Sequence, residues 1–167
     1  MQQAVLFTED QKFKQWWVWL IILSMNGFFL SMVYQQLILK KQVGDRPMAD
    51  TGLLIASGTI LLVTLLFFYT RFSTRIKKDG IYVKFFPFQF SYKHYNWEMV
   101  AKAYIRTYSP LGEYGGWGLR YSISGKGMAY NVSGNKGLQL ELNTGKKILI
   151  GTNKAAELEA VLNQLNA

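Results

Sequence analysis

The most unusual segment of this chain is Glu113-Tyr114-Gly115-Gly116-Trp117-Gly118-Leu119-Arg120. Glycine has no Cβ, so backbone built from it can approach a ligand closely. Tyr114, Trp117 and Arg120 would then contact that ligand, which makes Tyr114, Gly115, Gly116, Trp117 and Arg120 the first binding candidates. A second reading stays open: the glycines form a turn or bulge and Trp117 fills a core. The segment is not a phosphate loop, because no helix start follows and no Gly-Lys-Ser/Thr triplet occurs. Tyr130 and Asn131 open a related block, Tyr130 to Gly137. It reads as a strand end plus a Gly-Asn turn or, alternatively, as a further binding edge.

A third candidate is a surface. Phe85-Phe86-Pro87-Phe88-Gln89-Phe90 is a dense aromatic run, preceded by Lys77, Lys78 and Lys84. Lysines near a bilayer favour anionic headgroups. Phe85, Phe86 and Phe88 fit either a core or a hairpin tip dipping into the headgroup layer. Phe86 occupies the position where phosphoinositide-reading sequences carry an arginine, which argues against specific phosphoinositide recognition.

Catalytic chemistry finds little to stand on. The chain has one histidine, His94, and no cysteine. No His-Glu-x-x-His, paired-carboxylate or Ser-His-Asp arrangement can be assembled. The reading is therefore non-enzymatic, without metal or cofactor. A net charge of +9 in 167 residues would suggest nucleic acid in a soluble protein. The distribution of the hydrophobic residues points elsewhere.

Two uncharged runs precede residue 71. Gln15 to Leu39 spans 25 residues and Thr51 to Thr70 spans 20. About 20 helical residues cross a hydrocarbon core of roughly 30 Å. Trp16, Trp17, Trp19 and Tyr34 near the ends of the first run, and Phe67, Phe68 and Tyr69 closing the second, fit interfacial belts. Gly27 and Gly58 are expected to allow close helix approach. A cleaved signal peptide fits poorly, because the apolar stretch is too long and Glu9 and Asp10 precede it. Lys12, Lys14, Arg71, Arg75, Lys77 and Lys78 outnumber Lys40, Lys41 and Arg46 of the connecting loop, which predicts both termini in the cytoplasm.

Beyond Phe72 the period changes to two. Ile81, Val83 and Phe85, and then Leu138, Leu140 and Leu142, alternate with polar or outward residues. Turn signals such as Ser109-Pro110-Leu111-Gly112 and Ser124-Gly125-Lys126-Gly127 separate six or seven strands, among them 117–123. Leu158, Val161, Leu162 and Leu165 recur at helical spacing behind Thr152 and Asn153, which predicts one helix over 153–166.

Strands closed by one C-terminal helix resemble the pleckstrin-homology (PH) superfold. The residues Trp97-Glu98-Met99-Val100, the two Gly-rich blocks and Ile150-Gly151-Thr152 resemble a family of bacterial membrane proteins with PH-like domains. The resemblance covers roughly residues 71–165, and a preceding two-helix hairpin fits that family. It implies an α+β membrane protein with a PH-like antiparallel β-barrel and a capping helix, and brings no established activity.

The expected organisation is a cytoplasmic segment (1–14), transmembrane helices (15–39 and 51–71), a loop (40–50) and the PH-like domain (72–167). It would sit in a bacterial cytoplasmic (inner) membrane. Its expected role is a membrane-tethered interaction or scaffold module for a protein partner. The alternative is a sensor or accessory factor contacting anionic lipid headgroups. Nucleic acid is not an expected partner.

Overall fold

The computed structural model describes residues 4–41, 44, 47–122 and 125–166. The expected loop cation Arg46, the strand residue Ile123 and the turn residue Ser124 lie outside them. The chain divides into two compact units, residues 14–69 and residues 1–13 with 70–167.

The first unit is a pair of apolar helices. Helix α1 spans Trp16–Val33 and continues as a π-helical turn over Tyr34–Ile38, closed by the Leu39 amide on the Tyr34 carbonyl at 3.1 Å. Helix α2 spans Asp50–Tyr69. Both are long and apolar enough to cross a membrane. Polar contacts join them: Asn26 donates to the Thr64 hydroxyl at 2.7 Å, and Gln36 donates to the Asp50 carboxylate at 2.6 Å. A Cβ on Gly27 or Gly58 would meet nothing within 4 Å, so these glycines are not points of close helix approach.

The second unit holds nine strands among the described residues. Strands β1 (Val5–Gln11), β2 (Arg71–Lys77), β3 (Gly80–Phe86) and β4 (Lys93–Asn96) form one sheet in that order. Strands β5 (Val100–Thr107), β6 (Gly118–Tyr121), β7 (Met128–Asn131), β8 (Lys136–Leu142) and β9 (Lys147–Gly151) form a second, ordered β5-β8-β9-β7-β6. The alternating residues do what their spacing predicts: Ile81, Val83 and Phe85 face Leu138, Leu140 and Ile150 across one core. Helix α4 (Ala155–Asn166) adds Leu158, Val161 and Leu162 to it, one face at helical spacing.

Three expectations change. The sheets do not close into a barrel, and β7 pairs with β9 in parallel, so the second sheet is mixed. A short helix, α3 (Pro110–Tyr114), stands where a turn was expected. The N-terminal segment, expected to carry no element of the β domain, contains β1, paired antiparallel along β2. Its inward positions are Phe7, Glu9 and Gln11, all buried. Thr152 Oγ1 donates to Glu9 at 2.5 Å, the Asn153 amide donates to it at 2.9 Å, and Gln11 donates to the Gly151 carbonyl at 2.9 Å. A buried carboxylate needs such donors. Here they come from the turn that leads into α4.

Candidate functional site

The β5–β6 connection carries the Gly-rich segment and lies over the face of the second sheet turned away from the main core. Ser109 Oγ accepts the Gly112 amide at 3.1 Å and Pro110 takes the first helical position, so α3 begins there. Gly115 ends it in the left-handed region at φ 69°, with its amide on the Leu111 carbonyl at 3.0 Å. This geometry fixes Glu113. Its carboxylate meets the Arg106 guanidinium at 2.8 Å and the Lys126 ammonium at 3.3 Å, and accepts the Ser109 amide at 2.9 Å. The Arg106 contact, first among these, holds the Glu113 carboxyl at about 2, below the usual carboxylate range. Arg106 also donates to Gln139 at 2.9 Å and to the Tyr114 hydroxyl at 3.2 Å. Beneath, Tyr114 packs edge-on to Tyr108 against Ala129 and Leu149. The turn before β7 tolerates only glycine at 127: a Cβ there would lie 2.0 Å from the Lys147 carbonyl oxygen.

The sequence candidates are thus brought together, but largely inward. Tyr130 is fully buried, stacked on Phe72 at 6.0 Å, and Asn131 is fully buried with its side-chain oxygen accepting the Gly118 amide at 2.9 Å. Tyr114 and Gly116 are buried as well. These four turn inward: Tyr130 belongs to the main core, and Tyr114 to the small second core with Tyr108, Ala129 and Leu149. Trp117 is half-buried and donates to the Gly134 carbonyl at 3.3 Å; it is not a plug of the main core. Gly115 and Arg120 are exposed, with the Arg120 guanidinium turned back onto the Trp117 carbonyl at 3.1 Å.

The expected membrane surface also divides. Phe85 is 1 % exposed and belongs to the main core. Lys77 pairs with Gly80 at one end of the first sheet, whereas Arg71 pairs with Phe86 at the other. Six residue steps of about 3.3 Å separate them, roughly 20 Å. Lys77 and the exposed Lys78 therefore do not share a patch with Phe86 and Phe88. Lys84, over the Tyr92 ring at 5.8 Å, does lie toward the Phe86 end.

A groove of about 690 Å³ lies between β5 and α4. Its walls are β5 from Val100 to Tyr104, Trp97, Lys78, and Leu162 and Leu165 of α4. Strand β5 is an outer strand of its sheet, with β8 as its only partner among the described residues. Two cations, Lys78 and Lys102, line the groove, and no carboxylate does. No motif signals such a place, because its walls come from three separate stretches of chain.

A model of a family described as "Family of unknown function (DUF6141)" matches residues 2–166. The chain belongs to that family. No curated protein and no solved structure gives a match. The family match runs through β1, both apolar helices and the β domain, so the insertion of the helices between β1 and β2 lies within the family's span. In this family member the β3–β4 turn exposes Phe88 by 60 % and Phe90 by 77 %. Beside it, Arg75 lies 4.9 Å from the Tyr92 ring centroid, close to Lys84. His94 stacks on Tyr82 at 4.2 Å on the same sheet. Among the described residues no three His, Cys, Asp or Glu side chains group as metal ligands.

Proposed function

We propose that this protein is an integral membrane docking module, non-enzymatic, whose two helices cross the bacterial cytoplasmic membrane and hold the β domain at its inner surface. The observation that carries the docking role is the open edge of β5 beside the α4 groove. An edge strand offers unpaired N–H and C=O groups in a row, and an extended segment adds to it by main-chain hydrogen bonds. Trp97, Leu162 and Leu165 give apolar walls for alternate side chains. Lys78 and Lys102 favour an acidic segment of a partner protein. Tethering raises the local concentration, so a weak contact suffices.

The membrane reading has its own support. Only 6 % of the most apolar stretch of each helix is buried within the protein, whereas a core helix of a soluble protein is mostly covered. A signal peptide is disfavoured because the residues before α1 form a strand of the folded domain. Strands β1 and β2 pair, so if both helices cross, both outer ends lie on one side of the bilayer. The excess of Lys and Arg on those ends assigns that side to the cytoplasm.

The docking role is tested with the full-length protein in nanodiscs against a displayed library of random nine-residue peptides. Acidic, strand-forming peptides are expected to be enriched and to protect β5 amides 100–104 from hydrogen exchange. Binding should fall at least tenfold in Lys78→Glu/Lys102→Glu. Peptides that bind this variant as well as the parent, or that leave β5 unprotected, would overturn the assignment.

A further inference from the structure

We infer that the β3–β4 turn is a third membrane contact, seated among the headgroups of an anionic bilayer; this rests on the reading that α1 and α2 cross that bilayer. The register of the first sheet carries the argument. Gln11 faces Phe72, and Arg71 faces Phe86. One end of the sheet therefore gathers the residue where β1 departs toward α1, the residue where β2 arrives from α2, and the residue where β3 enters its turn. Only Thr70 separates Tyr69, the last residue of α2, from Arg71. Four residues separate Gln11 from Trp16, the first of α1. A chain spans at most about 3.5 Å per residue, so this end of the sheet stays within reach of the interface whatever angle the domain adopts.

The turn at this end has the chemistry of that layer. Phe88 and Phe90 are its exposed aromatic side chains, and Phe90 meets Phe86 edge-on at 5.7 Å. Aromatic rings are favoured where an apolar body meets wet headgroups. Behind them stand Arg71, Arg75 and Lys84, the last two flanking Tyr92. Lys12 and Lys14 sit on the stretch between β1 and α1. The carboxylate at this end of the sheet, Asp10, is engaged by the Ser73 hydroxyl. Cations with aromatics between them fit lipid phosphates above acyl chains. The contact would leave the β5–α4 groove free, because Lys78 and the groove belong to the opposite end of β2.

The chain has no cysteine, so Phe88→Cys and Phe90→Cys each create one labelling site. The full-length protein would carry a nitroxide there, in vesicles of mixed phosphatidylcholine and phosphatidylglycerol. Leu62→Cys in α2 and Leu111→Cys in α3 serve as references. Labels at 88 and 90 are expected to favour oxygen over a water-soluble nickel chelate severalfold more than the label at 111. In Arg75→Glu/Lys84→Glu, or in phosphatidylcholine alone, that preference should shrink toward the value at 111. If 88 and 90 match 111 while 62 reads hydrocarbon, the third contact is wrong and the crossing reading stands. If 62 itself reads aqueous, the crossing reading fails and takes this one with it. Insertion indifferent to both lipid charge and the double substitution would overturn the anionic part.

Discussion

Glu113 illustrates how one side chain can fix a loop. Its carboxyl is held at about 2 in the folded protein, against an ordinary value of 4.5. A group whose folded value is depressed binds fewer protons folded than unfolded, so it stabilises the native state above the ordinary value. That contribution is lost as pH falls from about 4.5 toward 2. The expected outcome is that the parent is more stable than Glu113→Gln at neutral pH and that the gap closes through this window. Chemical denaturation of both proteins across the acid range measures it. A gap unchanged by acid would mean that the ion pair with Arg106 does not hold α3. Arg120, by contrast, lies exposed and donates to the nearby Trp117 carbonyl, so sequence prominence and structural weight part company within one segment.

At the scale of elements, the decisive join is between β1 and α4. Glu9 is 6 % exposed and takes donors from Thr152 and Asn153, just ahead of the helix, where a negative charge is favoured by the helix dipole. Removing it orphans those donors in a buried place. Glu9→Ala is expected to cost about 1–3 kcal/mol. A shift in denaturant midpoint of the detergent-solubilised protein reports it, and a midpoint unmoved from the parent's would show that the clamp adds nothing. The sequence concealed this strand for a physical reason. Two of its three inward positions are Glu9 and Gln11, so the apolar alternation that betrays β3 and β8 is broken in β1.

The whole molecule is one β domain interrupted by a helical hairpin. Residues 14–69 leave the first sheet after β1 and return at β2, its antiparallel neighbour. Antiparallel neighbours need only a short turn. Joining Phe13 to Thr70 through about four turn residues is therefore expected to give a soluble, cooperatively folding domain. The fragment beginning at Thr70, without β1, should unfold at a lower denaturant midpoint or aggregate through the bared edge of β2. Comparing the two by size exclusion and denaturation decides the matter. Equal stability of both would show that β1 is dispensable and that the domain starts at β2.

Composition and period alone determined the two uncharged helices, the strands around Ile81–Phe85 and Leu138–Leu142, and the helix carrying Leu158, Val161 and Leu162. Each depends on spacing along a single stretch, and hydrophobic burial reads spacing directly. The tertiary structure decided which candidate side chains reach solvent. Tyr130, Asn131 and Tyr114 turn inward because both faces of the second sheet are covered, a fact held by no local pattern. It also decided that the sheets stay open, that β7 and β9 run parallel, and that a groove forms between β5 and α4. Those features arise where distant segments meet, and the free energy that selects them comes from packing between segments rather than from propensity within any one of them.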